Sequence, residues 1–218
     1  MKRAAFRHVP AYAGAYNKYI KRILDILLSA CVLLVIFPLF PIISLAVVLE
    51  DGFPVFYRAE RGGYEGKPFR ICKFRTMVRD ADKIGGGTTS LNDSRITKVG
   101  RFLRRIKLDE IPQFAQVLTG KMSLVGPRPE LLRYVSRYQG EELDILKVRP
   151  GITDFSSVAF INLDEIVGTK NADEMYEKLV LKRKNELRVQ YAHSVSFCTD
   201  LRILWLTAVA VAKKCFRT

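Results

Sequence analysis

Residues 26–49 read ILLSACVLLVIFPLFPIISLAVVL, a 24-residue stretch without a charged side chain. Roughly 18 consecutive apolar residues are enough to mark a candidate membrane helix, so the stretch is predicted to hold the chain in a bilayer. A cleaved signal peptide fits poorly, because its apolar region runs only ~7–15 residues and no small-residue cleavage site follows here. Pro38 and Pro41 lie near the middle, where a missing N–H and the ring's clash with the preceding turn kink a helix. Lys2, Arg3, Arg7, Lys18, Lys21 and Arg22 precede the stretch; Arg58, Arg61, Lys67, Arg70, Lys73 and Arg75 follow it. Basic residues collect on the cytoplasmic side of a simple span, so this tie of six against six gives no orientation. A helix that enters and returns to the same leaflet accounts for the tie. A straight span with tolerated prolines is the other reading.

The rest of the composition narrows the classes. At 218 residues the chain accommodates one ordinary domain plus an anchoring segment. With 49% hydrophobic residues and no low-complexity tract, it can build a packed core and is not a disordered protein. A formal net charge of +14 points to a polyanion: nucleic acid, an anionic membrane surface or a phosphorylated small substrate. Cys31, Cys72, Cys198 and Cys215 form no CxxC or Cys/His pattern. That argues against a zinc site or a disulfide framework and for reduced thiols in a cytosolic setting. Of the two histidines, His8 and His193, the latter lies in a polar stretch and reads as a surface or packing residue.

Met1 to Lys18 forms a basic, aromatic leader. After the apolar run, short strands are predicted at Pro54 to Tyr57 and Phe69 to Phe74, around the turn Gly62-Gly63-Tyr64-Glu65-Gly66. The Gly85-Gly86-Gly87-Thr88-Thr89-Ser90 loop lacks the Lys-Ser/Thr ending of a P-loop and reads as an ordinary connection. Helices are predicted from Thr97 to Arg105 and from Asp109 to Leu118, with Asp109 as the second one's N-cap and Pro112 in its first turn. A Pro-Arg-Pro turn within Val125 to Glu130 leads into a helix to about Tyr138, and Ala172 to Gln190 is a long charged helix. Val195 to Ala212 is apolar but interrupted by Asp200 and Arg202 and followed by Lys213-Lys214, the pattern of a helix lying along a membrane surface. The expected fold is α/β in the broad sense, α+β and mainly helical. It divides into a leader (1–20), a bent membrane segment (21–50) and a cytosolic domain (51–218) with interfacial amphipathic helices.

The chemistry concentrates between Asn92 and Glu130. Arg95, Lys98, Arg101, Arg104, Arg105 and Lys107 precede Asp109-Glu110, and Arg128 follows. Such a run by itself is a solvated helix face, or a lipid-headgroup contact worth about 1 kcal/mol per charge. Vicinal carboxylates beside arginines are also what holding a divalent cation and a diphosphate requires. The cation offsets phosphate charge, arginine makes bidentate contacts, and a free carboxylate serves as nucleophile or base. The Asp-Glu dipeptide alone decides nothing, since helix starts favour acids in any case.

Seven collinear motifs are more specific. They are Lys21-Arg22-Ile23-Leu24-Asp25, Pro54-Val55-Phe56-Tyr57-Arg58, Lys73-Phe74-Arg75-Thr76-Met77, DSRITKVGRFLRR from Asp93, LDEIPQ from Leu108, MSLVGPRP from Met122, and Pro150-Gly151-Ile152-Thr153. Together they resemble the bacterial sugar transferase family, the monotopic phosphoglycosyl transferases. The resemblance runs from Lys21 to about Thr153, and the short length is similar to the minimal form of that family. It implies transfer of a sugar-1-phosphate from a UDP-sugar to a polyprenol phosphate such as undecaprenyl phosphate, with release of UMP and Mg²⁺ as cofactor. By the same resemblance Asp109 is a nucleophile forming an aspartyl phosphosugar, Glu110 assists with metal or proton, and both border the metal. Arg104, five residues before Asp109, binds phosphate. Pro127, Arg128 and Pro129 line the pocket, and Arg58, Lys73 and Arg75 of the matching motifs are assigned to substrate. The family's membrane helix is re-entrant and bent at the position of Pro38, in keeping with the charge tie. The catalytic domain is then expected on the cytoplasmic face of a bacterial inner membrane with anionic lipids. Self-association is left open.

The chain departs from the family pattern at three places. Phe37 stands where Ser often precedes the bend, Ser94 where Pro is frequent, and Asp154-Phe155-Ser156-Ser157 where a Gly-Trp-Ala-Gln-like segment is common. The last departure leaves the sugar undetermined. A catalytically inactive membrane scaffold would keep anchor and charge but need not keep the dyad with Arg104 and Arg128. A Mg²⁺-dependent UDP-sugar hydrolase shares the parts and differs in not needing the lipid acceptor. Nucleic acid is not an expected partner: no helix-turn-helix, RRM or zinc-finger signature accompanies the charge, and the carboxylates would repel phosphate without a metal.

Overall fold

Helix α1 (Lys21–Ile36) runs until the prolines stop it. In the computed structural model, which describes residues 10–216, the Phe37 N–H still closes on Leu33 O at 2.8 Å. Pro38 then has no N–H to offer Leu34 O, and the Phe37 carbonyl turns to the Phe40 N–H at 3.1 Å. Helix α2 (Leu39–Asp51) sets off at 63° to the segment Tyr16–Ile36. No single helix among the described residues is long and apolar enough to cross a membrane; this bent pair passes that test only as a pair. Around the bend Leu34, Val35, Phe37, Ile42, Leu45 and Leu49 are exposed, large apolar side chains left open to the surroundings of the folded body.

Both ends of the bent pair fasten to one folded body. At the first end, Arg22 donates to Val117 O at 2.5 Å and Leu118 O at 2.9 Å, and Asp25 accepts from the Leu124 N–H at 3.1 Å. Lys21 pairs with Asp200. At the second end, Glu50 accepts from the N–H groups of Lys98 and Val99.

That body is mostly helical with two small sheets. Strands β1 (Phe56–Gly62) and β2 (Pro68–Phe74) form an antiparallel hairpin in which Phe56 faces Phe74 and Tyr57 faces Lys73. A short α3 (Ala81–Ile84), α4 (Lys98–Arg105) and α5 (Gln113–Leu118) follow. Strand β3 (Ser123–Val125), α6 (Leu132–Val135) and β4 (Gly151–Thr153) come next, β4 lying parallel to β3. Helices α7 (Phe155–Ala159), α8 (Leu163–Val167), α9 (Ala172–Met175), α10 (Lys182–His193) and α11 (Phe197–Phe216) complete the chain. One core joins β2, α5, β3, α10 and α11 through Ile71, Val117, Met122, Val125, Tyr191 and Ile203. A second joins α2 to β2 and α4 through Ile43, Val47, Phe74 and Leu103, with Leu108 packed against it. There α4 crosses Thr76 so closely that a Cβ on Gly100 would overlap the Thr76 carbonyl.

Several expectations change. Asp109 is not an N-cap: Leu108–Glu110 is a 3-10 turn, and α5 begins only after Pro112, which needs no N–H partner at a helix start. The helix after the Pro-Arg-Pro turn ends at Val135 rather than near Tyr138, and Tyr138 is buried. Strand β1 starts at Phe56 and runs on to Gly62, because pairing with β2 continues past the apolar residues. Strands β3 and β4 leave no mark in the sequence pattern, since three-residue strands are too short to show alternation. Asp200 does not interrupt α11. It turns inward to Lys21 and to the hydroxyls of Tyr16 (2.8 Å) and Tyr191 (2.7 Å), while Phe197, Leu201 and Trp205 remain exposed. Within the leader Ala11, Tyr12 and Tyr16 pack on the first core, and residues 1–9 lie outside the described residues. All four cysteines are unpaired, and His193 Nε2 lies 2.7 Å from Asp144 at the surface.

Removing one partner of a buried ion pair strands the other, at a cost of about 3–5 kcal/mol. Asp200→Ala is therefore expected to lower stability by about that amount in denaturant titrations of the micelle-solubilised protein, whereas Trp205→Ala on the same helix stays within about 0.5 kcal/mol. Equal midpoints for the two variants would contradict the role given to Asp200.

Candidate active site

Four elements bring their charged residues together. Strand β2 presents Lys73, α4 carries Arg104 in its last turn, the 3-10 turn carries Asp109 and Glu110, and the loop leaving β3 carries Arg128. Lys107, between α4 and the turn, adopts a left-handed conformation (φ 61°), which costs a non-glycine residue roughly 1–2 kcal/mol. That reversal swings the dyad back toward the end of α4. Asp109 and Glu110 are both buried.

The two acids are treated differently. Glu110 receives Arg128 through both terminal nitrogens, Nη1 to Oε2 at 3.0 Å and Nη2 to Oε1, and Lys73 Nζ to Oε1 at 2.9 Å. Burial alone would raise its pKa, but Arg128, Lys73 and Lys107 hold it well below the usual range. Asp109 has no such clamp, and its buried Oδ1 lacks a hydrogen-bond partner among the described residues. Burial, with Glu110 adding to it, raises the Asp109 carboxyl against the pull of Lys73, Lys107 and Arg104. Adjacent carboxyls driven apart in this way take separate chemical roles: one is a fixed anion, the other a poorly solvated carboxylate with an oxygen to spare.

The cations are held from behind. Arg104 donates through Nε to Thr76 Oγ1 (2.7 Å) and through Nη1 to Thr89 Oγ1 (3.1 Å). Arg128 also reaches Ile152 O at 2.9 Å, and its backbone N–H meets the fully buried Asp154 at 3.2 Å. Pro127 and Pro129 stiffen that loop, and Glu130 pins its end. Glu130 accepts from Arg188 at 3.0 Å, from Leu131 N–H at 2.9 Å and from the Tyr176 hydroxyl. Beside Thr88 and Ser90 an open polar groove of about 610 Å³ runs to Asn171 and Asp173. Asp173 fastens the glycine loop through the N–H groups of Gly87 and Thr88.

Not every residue assigned to the site converges on it. Arg75 turns toward the end of α2, bonding Asp51 O at 2.9 Å and pairing with the Asp51 carboxylate at 3.2 Å. Arg58 is exposed opposite Cys72, one register step from Lys73 and so on the other face of the hairpin. Thr76, Thr89 and Asp154 hold the site without having been singled out. Thr76 lies in a recognised motif, Thr89 in the glycine loop read as an ordinary connection, and Asp154 at the start of the segment that departs from the family pattern; none of these readings gave the residue its hydrogen-bonding role. Gln113, one turn after Asp109, is fully buried with neither amide atom partnered among the described residues.

A cationic pocket around one uncommitted carboxylate suits an anionic phosphorylated substrate. The comparisons agree with that class: the bacterial sugar transferase family matches residues 16–214, and the chain belongs to this family. It is 40% identical over 207 residues to the UDP-glucose:undecaprenyl-phosphate glucose-1-phosphate transferase of Escherichia coli (strain K12), covering 91% of this chain and 42% of that protein. It is 38% identical to the uncharacterized sugar transferase EpsL of Bacillus subtilis (86% and 85% covered) and 33% identical to the exopolysaccharide production protein ExoY of Rhizobium meliloti (88% and 84% covered). The chain thus spans about two fifths of the first of these relatives and most of the other two.

Among the described residues no cluster of three or more His, Cys, Asp or Glu side chains could cage a metal. The donor set still fits Mg²⁺, which commonly takes one or two carboxylates and completes its shell with water and substrate phosphate. Asp109 Oδ1 is such a donor, whereas both Glu110 oxygens are engaged by cations.

Two outcomes follow for stability. Gln113→Leu removes unpaired polar atoms at nearly constant volume, so the melting midpoint should hold or rise; a clear fall would reveal a partner for the amide. Burial raises the Glu130 carboxyl, but Arg188, Lys184 and Tyr176 outweigh it and bring it down to about 2. Its stabilisation is therefore complete above the ordinary glutamate value of about 4.3 and is lost as pH falls toward 2. Glu130→Gln should flatten the stability profile across that window, measured by denaturant unfolding at stepped pH.

Proposed function

We propose that the chain is a phosphoglycosyl transferase, moving a sugar-1-phosphate from a UDP-sugar to polyprenol phosphate with release of UMP, the opening step of a bacterial surface polysaccharide or glycoconjugate. The observation carrying this reading is the split within the dyad, Glu110 clamped and Asp109 Oδ1 uncommitted. Relatives named as UDP-glucose:undecaprenyl-phosphate glucose-1-phosphate transferases support the donor and acceptor classes. They make UDP-glucose the first donor to try.

In this reading Asp109 attacks the sugar-proximal phosphorus. The bond from that phosphorus to the bridging oxygen breaks, and the electron pair leaves with UMP. An oxygen of polyprenol phosphate then attacks the same phosphorus of the aspartyl phosphosugar, the bond to Asp109 breaks, and the carboxylate is restored. Neither displacement requires net proton transfer. Arg104, aimed by Thr76 and Thr89, holds phosphate oxygens; Arg128 and Lys73 keep Glu110 anionic and out of the line of attack. When bound, Mg²⁺ would offset diphosphate charge, and Asp109 would hold it together with the substrate's own oxygens.

The bent pair α1–α2 is a re-entrant anchor at the cytoplasmic face of the inner membrane. Supporting this are the attachment of both its ends to one body and the tie in flanking charge. One substrate is soluble and the other is confined to lipid, so they must meet at the surface.

Asp109→Asn is expected to abolish UMP release, a loss of at least about 10³-fold, while membrane association persists. Wild-type protein given labelled UDP-glucose and Mg²⁺ without acceptor should retain label on the peptide containing Asp109. Turnover by the variant would remove Asp109 as nucleophile, and repeated turnover without lipid acceptor, beyond the single UMP released per protein as the aspartyl phosphosugar forms, would mark a hydrolase.

A further inference from the structure

We infer that Glu50, the penultimate residue of α2, is a positioning residue that couples the seating of the bent helix pair to the phosphate-binding Arg104; the inference rests on the function proposed above. Its carboxylate spans two free donors at the start of α4, taking Lys98 N–H on Oε1 at 2.6 Å and Val99 N–H on Oε2 at 2.9 Å. The helix has its own cap in Thr97, whose Oγ1 accepts from Gly100 N–H at 2.9 Å. The two caps share the orphan donors of one helix start, but they differ in origin. Thr97 is local, whereas Glu50 arrives from 48 residues earlier, on a different element.

Helix α4 has eight residues, about 12 Å of rise, so displacing its start displaces Arg104 in its last turn. Helix α2 grips α4 twice: through Glu50 at the start, and through Ile43 and Val47, which share a core with Leu103, the residue before Arg104. Asp51, next to Glu50, accepts from Arg79 N–H at 2.9 Å and pairs with Arg75 at 3.2 Å. Arg75 in turn precedes Thr76, the acceptor for Arg104 Nε. The end of α2 therefore fixes both the helix that carries the arginine and the strand end that receives it. A shift of α2 with the lipid around it moves Arg104, and misplacement of this order at a reacting centre is costly.

The test compares the two caps in the full chain, reconstituted in phosphatidylglycerol-containing vesicles. Glu50→Ala should speed amide exchange at residues 98 and 99 and onward through 104–107. It should also reduce kcat/KM for the UDP-sugar about tenfold, mainly through KM, while Thr97→Ala stays within about twofold. Glu50→Gln, which keeps an acceptor oxygen, should recover most of the loss, and Glu50→Asp serves if the alanine variant does not accumulate. Equal losses for Glu50→Ala and Thr97→Ala, or unchanged exchange at 104–107 in Glu50→Ala, would overturn the inference. The exchange readout is independent of turnover: a wild-type protein inactive on every UDP-sugar faults the proposed function, while spreading exchange in Glu50→Ala still supports the positioning link.

Discussion

Ile43 and Val47 of α2 pack against Phe74, Leu103 and Leu108. Each of those three stands next in sequence to a residue of the site: Lys73, Arg104 and Asp109. The apolar contact is therefore the floor on which the charged groups stand. Burying large aliphatic and aromatic side chains stabilises by about 1.5–3 kcal/mol each, far more than exposed charge pairs contribute. The charges are thus positioned by packing beneath them and need not attract one another into place. The close approach of Gly100 to Thr76 belongs to the same arrangement, since any side chain there would lift α4 off the hairpin.

On that floor the dyad is asymmetric. Two buried carboxylates side by side repel, and desolvation penalises both. The pocket resolves the conflict by giving Glu110 two cations and leaving Asp109 with an unpartnered oxygen. The arrangement is unfavourable for the resting fold at Asp109 and at Gln113, one turn on, and such local deficits gather at functional sites. Arg128 carries the same division outward: its guanidinium neutralises Glu110, while its backbone is held by Asp154 and its loop by Glu130.

Polar groups also join the chain's distant parts. Lys21, Tyr16 and Tyr191 converge on Asp200, tying the start of the bent pair to α10 and α11. Arg22 and Asp25 add backbone contacts to α5 and β3. Buried ionic contacts gain little net energy but penalise mispairing strongly, so these set which surfaces meet.

The sequence by itself determined the apolar stretch and its break at Pro38, the hairpin around Gly62 to Gly66, the helix to Arg105 that carries Arg104, and the dyad with Arg128, because these depend on local periodicity, proline geometry and contiguous motifs. Only the tertiary structure decided that Asp109 starts no helix, that Asp200 faces inward, and that Arg75 serves the end of α2 while Lys73 serves Glu110. Neighbouring basic residues look alike in a sequence; which carbonyl or carboxylate each meets depends on chain segments 24 to 37 residues away. The bonds that α4 donates to Glu50 and Arg104 donates to Thr89 were illegible for the same reason: single hydrogen bonds between separate elements leave no periodic trace, and only the tertiary packing brings their partners within reach.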